Sequence, residues 1–257
     1  MHEPLEQEVK RWFLAYVDGF REDETLHPML ELKLGHTARV ATYCRAIADA
    51  SGWSSDAASL GEVGGWLHDV GRFSQWREFG TYRDDISVDH AQRGCEILTG
   101  STVLDGLGDD ARRRLLDAIS LHNKRELPDG LAEDSLPLCH LVRDADKLDI
   151  LDLTYRMLVD GELHETQPQL SRELAASPEM IEEIRTKHRG SYANMRTLSD
   201  FVLVAVAWAW NLHFGASARL VLERGMFTRL EPFLPATEDV RMVLREAERE
   251  IERVAAG

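Results

Sequence analysis

Apolar residues recur at helical spacing along most of this chain. Between residues 36 and 50, Val40, Tyr43, Cys44 and Ile47 follow one another at intervals that place them on one face, and Gly52 stands just beyond as a stop signal. His36, four residues before Val40, shares that inward face. A second helix is predicted over 55–68, burying Leu60, Val63, Trp66 and Leu67. A loop rich in Gly and Asp is expected from 71 to 88. Ser87 or Asp89 then caps a helix that carries Ala91, Cys95 and Leu98. Leu115, Leu116, Ile119 and His122 mark another, and the stretch 136–153 is apolar along one side after Pro137. No alternating β pattern of useful length occurs, so the predicted fold class is all-α.

Beyond about residue 158 the pattern loosens. Residues 160–198 are charged and contain Pro168 and Pro178, whereas 201–212 reads as a fully buried helix. At the end, Val240, Val243, Leu244, Ala247, Ile251 and Val254 form one stripe opposite Glu and Arg, the pattern of an amphipathic surface helix. There is no internal repeat, low-complexity tract or clear linker. The expectation is a single domain over 1–257, with a helical core at about 30–155 and a packed C-terminal helical extension at about 158–257.

Composition narrows the function classes. With 257 residues, 44% hydrophobic and 29% charged, the chain can bury a large core, which excludes disorder. A formal charge of −15 argues against binding a nucleic-acid polymer through its phosphates, since that needs clustered Lys and Arg. It leaves a small nucleotide open, because a site can be locally positive within an acidic protein. Cys44, Cys95 and Cys139 are odd in number and lie in apolar contexts, so they read as buried thiols of a reducing compartment. The start, MHEPLEQEVKRWF, lacks a basic region followed by an apolar one, and the run 201–212 is too short to span a bilayer. The expected location is cytoplasmic, with no membrane partner.

Candidate chemistry gathers at His36, the adjacent His68 and Asp69, His90, His122 and Asp146. Imidazole and carboxylate are the groups that hold first-row divalent metals. Adjacent His and Asp at a helix end can both reach one ion where the backbone turns, with Gly71 supplying flexibility just after. The remaining ligands would arrive from separate helices, as metal sites in helical folds require. His2, His27, His140, His164, His188 and His213 lack such a context, and His140 reads as a packed core residue.

The segments LGHTARV, GWLHDVGRF, SVDHAQRG, ISLHNK and RDADKLD carry these residues in an order that resembles the HD-domain superfamily of metal-dependent phosphohydrolases. The likeness covers roughly residues 30–155, and the stretch from Gly71 through SVDHA is similar to a subgroup of single-domain bacterial members. It implies an HD-type helical bundle. One metal would be bound by His36, His68, Asp69 and Asp146, and a second by His90 and His122, with Asp69 bridging. Within RDADKLD the family pattern aligns the ligand with Asp146, not Asp144 or Asp149. Arg72 matches a basic position common in the family, and Lys147 adjoins the last ligand. Either could hold a phosphate oxygen, as could Lys124. Arg72 reads equally as a helix-end charge, and Lys147 as a salt-bridge partner of Asp144 or Asp149.

The implied activity is hydrolysis of a phosphomonoester or phosphodiester, with a nucleotide as the substrate class, by a metal-activated hydroxide that Asp69 helps to generate. Nitrogen-rich ligation favours two ions of Mn, Fe, Co or Ni per chain over Zn or Mg. Two other readings share the ligand set: a mixed-valence di-iron oxygenase, and a catalytically silent module whose metal only braces the core. The sequence after His122, NKRELPDG, lacks the second His and the Gly-Tyr-Pro signature of cyclic-dinucleotide phosphodiesterases. No synthetase domain follows, which argues against a bifunctional alarmone enzyme.

Overall fold

A computed structural model describes residues 4–257; residues 1–3, His2 among them, lie outside the described residues. The described chain is all-α, with no strand among its residues and only two isolated bridges, Glu22 with Thr25 and Ser171 with Thr197. It forms two compact units that meet in sequence between Asp146 and Lys147.

The first unit contains α1 (Leu5–Asp18), α2 (Pro28–Ala50), α3 (Ser55–Leu67), α4 (Val70–Phe79), α5 (His90–Thr99) and α6 (Asp109–Leu121), and the start of α7 (Leu136–Val159). Helix α2 begins a full two turns before the expected point. Pro28 opens it with its φ already fixed, and the His27 ring accepts from the Met29 amide at 3.2 Å. Helix α3 follows its prediction, with Ser54 as cap and His68 at its C-terminal boundary. Residues 71–79 are not a loop: they are most of α4, and the loop is confined to the segment that follows Gly80. Here periodicity failed because α4 buries a polar residue, Gln75, beside Val70 and Phe73. Asp89, one of the two expected caps, accepts from the amides of Ala91 and Gln92 at the head of α5.

Two glycines let the helices that carry the candidate ligands approach closely. A Cβ on Gly65 of α3 would lie 2.5 Å from the Ala41 Cα of α2, so α2 and α3 meet backbone to backbone. A Cβ on Gly71 would lie 2.1 Å from the His90 carbonyl oxygen, so the same device joins α4 to α5. Gly71 therefore sits inside a helix and serves close packing; the expected flexibility is not its role. Gly71→Ala should lower stability by about 1–3 kcal/mol through overpacking against backbone that cannot yield. Urea unfolding checks this, and an unchanged midpoint would refute it.

The second unit holds the rest of α7, α8 (Leu163–Thr166), α9 (Pro178–Lys187), α10 (Leu198–Val206), α11 (Gly215–Glu223), α12 (Met226–Leu230) and α13 (Glu238–Ala256). The expected buried helix over 201–212 is instead the end of α10 followed by a 3₁₀ segment, Ala207–Asn211, in which Trp208, Trp210 and Asn211 are half-buried. A capping box of Thr197 and Asp200 starts α10. Helix α13 matches its predicted stripe, burying Val240, Val243, Leu244, Ala247 and Ile251. Cys44, Cys95 and Cys139 are free, the first and last buried and Cys95 half-buried. No helix of the described residues is long and apolar enough to cross a membrane.

Candidate metal centre

The six predicted ligands come from five places in the first unit and converge on one point. His36 lies on α2, His68 and Asp69 occupy the bend between α3 and α4, and His90 opens α5. His122 follows the end of α6, and Asp146 lies on α7. The four histidines and Asp69 are buried, and the Asp146 side chain is half-buried.

Asp69 stands between two groups of ligands. Its Oδ2 is 3.5 Å from His36 Nε2 and 3.6 Å from His68 Nε2. On that side, Asp146 Oδ1 lies 3.2 Å from His36 Nε2 and 3.8 Å from His68 Nε2. The other oxygen of Asp69, Oδ1, is 3.4 Å from His90 Nε2 and 3.6 Å from His122 Nε2. Ligand atoms of His36, His68 and Asp146, and separately of His68, Asp69 and His122, lie close enough together to hold a metal ion.

Partners on the far side of the rings fix which nitrogen faces inward. His68 Nδ1 donates to the Gly65 carbonyl at 2.8 Å, and His122 Nδ1 to the Ile119 carbonyl at 2.7 Å. His90 Nδ1 donates to Asp84 Oδ2 at 2.6 Å. A carbonyl or carboxylate can only accept, so the proton of each neutral ring is on Nδ1 and Nε2 is a bare lone pair. His90 Nε2 and His122 Nε2 are nevertheless 2.9 Å apart. Two lone pairs at that distance repel unless a cation lies between or beside them. The donor set thus fits a divalent metal, with the outer hydrogen bonds that orient metal-binding histidines.

Electrostatics favour the same protonation states. Burial pushes the His68 imidazole down to about 3 and His90 down to about 4, keeping both rings neutral. Burial alone would raise Asp69, but the Lys33 ammonium at its Oδ2 outweighs it and holds the carboxyl well below its ordinary range. Asp146 is likewise depressed, burial being overcome by His36, whose Nε2 lies 3.2 Å from its Oδ1.

The cations are arranged less as expected. Arg72 Nε lies 3.5 Å from Asp69 Oδ1, while its Nη1 donates to Asp84, Gln75 and the Tyr82 carbonyl. Arg72 Nε is buried with no hydrogen-bond partner. Lys147, the first residue of the second unit, donates to the Asn211 carbonyl at 3.0 Å. Lys124 pairs with Asp89. Sequence reasoning missed Lys33, whose Nζ donates to Asp69 Oδ2 at 2.6 Å. It lies three residues before His36 on α2, so helical spacing could have placed it on the ligand face. Also missed was Arg143, buried on α7, which donates to the carbonyls of Leu121, His122, Lys124 and Arg125 and so ties the His122 turn to the helix bearing Asp146.

Residues 34–151 match the family model of the HD domain, a span that contains all six converging residues. The chain carries an HD domain. That domain is the mark of metal-dependent phosphohydrolases and implies a divalent metal, which the His/Asp cluster fits. No curated protein and no solved structure matches the chain.

Proposed function

We propose that this HD domain hydrolyses a phosphomonoester or phosphodiester, with a nucleotide as the substrate class among small phosphorylated molecules, at a binuclear centre. His36, His68 and Asp146 would hold one ion, His90 and His122 the other, and Asp69 both. The single observation that carries this reading is the division of Asp69, with Oδ2 toward one pair of imidazoles and Oδ1 toward the other. When bound, the ions would supply Lewis acidity and a water of lowered pKa. The chain's own residues supply the rest. The buried Asp69 carboxylate stays ionised, the outer hydrogen bonds keep Nε2 of His68, His90 and His122 turned inward, and Lys33 and Arg72 flank Asp69 on opposite oxygens. These two cations would take the non-bridging oxygens of the phosphoryl group. Asp69 and Asp84 balance these two cations, so the bound ions would bring the net positive charge that a phosphorylated substrate needs.

The test is a phosphatase and phosphodiesterase substrate screen on protein reconstituted separately with Mn, Fe, Co, Ni, Zn and Mg. Hydrolysis that persists without oxygen and is greatest with Mn, Fe, Co or Ni is the expected result. Strictly oxygen-dependent turnover, or none with any metal, would contradict it. Arg72 offers a finer check. Arg72→Lys should retain charge but lose the guanidinium fork, and Arg72→Ala should lose both. Activity should fall in the order Arg, Lys, Ala, by roughly one to two orders of magnitude in kcat/KM for Ala, with metal content unchanged. Arg72 lies in the first turn of α4, so it is not the C-terminal helix charge that the sequence allowed; if it only braces Gln75, Asp84 and the Tyr82 carbonyl, Arg72→Ala will spare turnover.

A further inference from the structure

Asp84 belongs to none of the predicted ligands, yet one carboxylate there joins both parts of the site. It sits on a single 3₁₀ turn, Asp84–Ile86, in the connection between α4 and α5. Its Oδ2 accepts from His90 Nδ1 at 2.6 Å and from Asn123 Nδ2 at 3.1 Å. Its Oδ1 accepts from Arg72 Nη1 and from Gln75 Nε2, each at 2.9 Å. The amide orientations follow from the neighbours. Gln75 Nε2 also donates to the Val88 carbonyl, and Asn123 Nδ2 also donates to Asp89 Oδ1, so both groups facing Asp84 are donors. Asp84 is therefore an acceptor on both edges.

We propose that Asp84 is a positioning residue for the His90–His122 half of the centre, fixing the His90 tautomer that leaves Nε2 bare while orienting Arg72 through its other oxygen. The part of this statement that concerns a metal rests on the binuclear reading above; the tautomer does not.

The chemistry makes Asp84→Asn an informative change of nearly constant shape. The new amide must present its NH₂ to one of the two edges. Arg72 cannot accept a hydrogen bond, and Gln75 is already held as a donor by Val88. The other edge faces Asn123 Nδ2, held as a donor by Asp89, and the His90 imidazole, and of these only the imidazole can accept, if its proton moves to the other nitrogen. The substitution should therefore drive the His90 proton from Nδ1 to Nε2, where it points at His122 Nε2 and removes the lone pair a metal would need. The same logic of a misplaced amide selecting the wrong imidazole tautomer operates in the Asp-to-Asn form of a serine protease triad.

The experiment has two arms. In metal-free protein with ¹⁵N-labelled histidine, NMR reads which ring nitrogen of His90 bears the proton, with His90→Gln giving the assignment. Nδ1–H in the wild type and Nε2–H in Asp84→Asn are expected. In the second arm, Co²⁺ is titrated by calorimetry. Wild type should bind two ions; Asp84→Asn should keep one affinity and weaken the other by about 10–100-fold. An Nε2–H tautomer in the wild type, or an Asp84→Asn protein with both affinities and the Nδ1–H tautomer intact, would overturn the proposal. A wild type that takes a single Co²⁺ defeats the binuclear reading instead, and the NMR arm alone then decides whether Asp84 sets His90. If Asp84→Asn does not fold, Asp84→Ala replaces it in the titration, with the same weakening of one affinity expected, and the wild-type tautomer still stands as a test.

Discussion

Asp69→Ala should abolish phosphoester hydrolysis, lowering kcat by three orders of magnitude or more, a loss of roughly 4 kcal/mol of transition-state stabilisation. The size of the effect follows from position. Each oxygen of Asp69 lies within 3.6 Å of two imidazole nitrogens, so on the binuclear reading its removal would take a ligand from both halves of the site at once. The helical fold should survive, because α3 packs on α1 and α2, and α4 on α5, through buried apolar residues that include Val63, Leu67, Val70 and Phe73. Some stability will be lost where metal binding contributes to folding. Steady-state kinetics and circular dichroism check this prediction together: a folded variant with near-normal turnover would remove Asp69 from the chemistry.

Lys33→Met is the second large effect. The ammonium donates to Asp69 Oδ2 at 2.6 Å, lies 5.6 Å from the centre of the Tyr82 ring, and is largely shielded from solvent. A charge in so dry a place acts on a phosphoryl oxygen far more strongly than it would in water. Replacing it with a methyl thioether of similar length should reduce kcat/KM by about two orders of magnitude, equivalent to roughly 2.7 kcal/mol. Lys33→Arg should restore part of this. Metal content is expected to stay the same or rise, because the carboxylate loses a competing cation. A purely structural lysine would instead give a lower Tm with unchanged kinetics. Elemental analysis beside the kinetics separates the two cases.

How much of this could be read from sequence depended on whether a residue's role leaves a periodic or ordered trace. Helices that bury an apolar stripe, such as α3 and α13, were legible because every third or fourth residue is committed to the core. Helix α4 was not. Its buried set includes Gln75, whose amide is consumed by Asp84, Ser87 and Val88, and its glycine serves interhelical contact. Polar burial of this kind breaks the pattern on which the prediction rests. The 3₁₀ ending of α10 was hidden for the opposite reason, since an uninterrupted apolar run does not distinguish one helical geometry from another.

The site divides along the same line. His36, His68, Asp69, His90, His122 and Asp146 stood out because few side chains suit a transition metal, and six of them in a family-like order are rarely accidental. Lys33 and Arg143 did not, because lysine and arginine occur on nearly every helix surface and only tertiary placement shows which ones turn inward. Asp84 was obscured by its neighbours: Asp84, Asp85 and Asp89 are alike in sequence, yet Asp85 pairs with exposed Arg83, Asp89 caps α5, and Asp84 accepts from the His90 ring. What decides between them is the bend after α4, which no local pattern encodes.

The most direct test of the central claim is anomalous diffraction from a crystal of this protein soaked in Mn²⁺. Two peaks are predicted, one among His36, His68 and Asp146 and one beside His90 and His122, with an Asp69 oxygen directed at each. One fully occupied peak, with His90 and His122 turned away from it, would contradict the account.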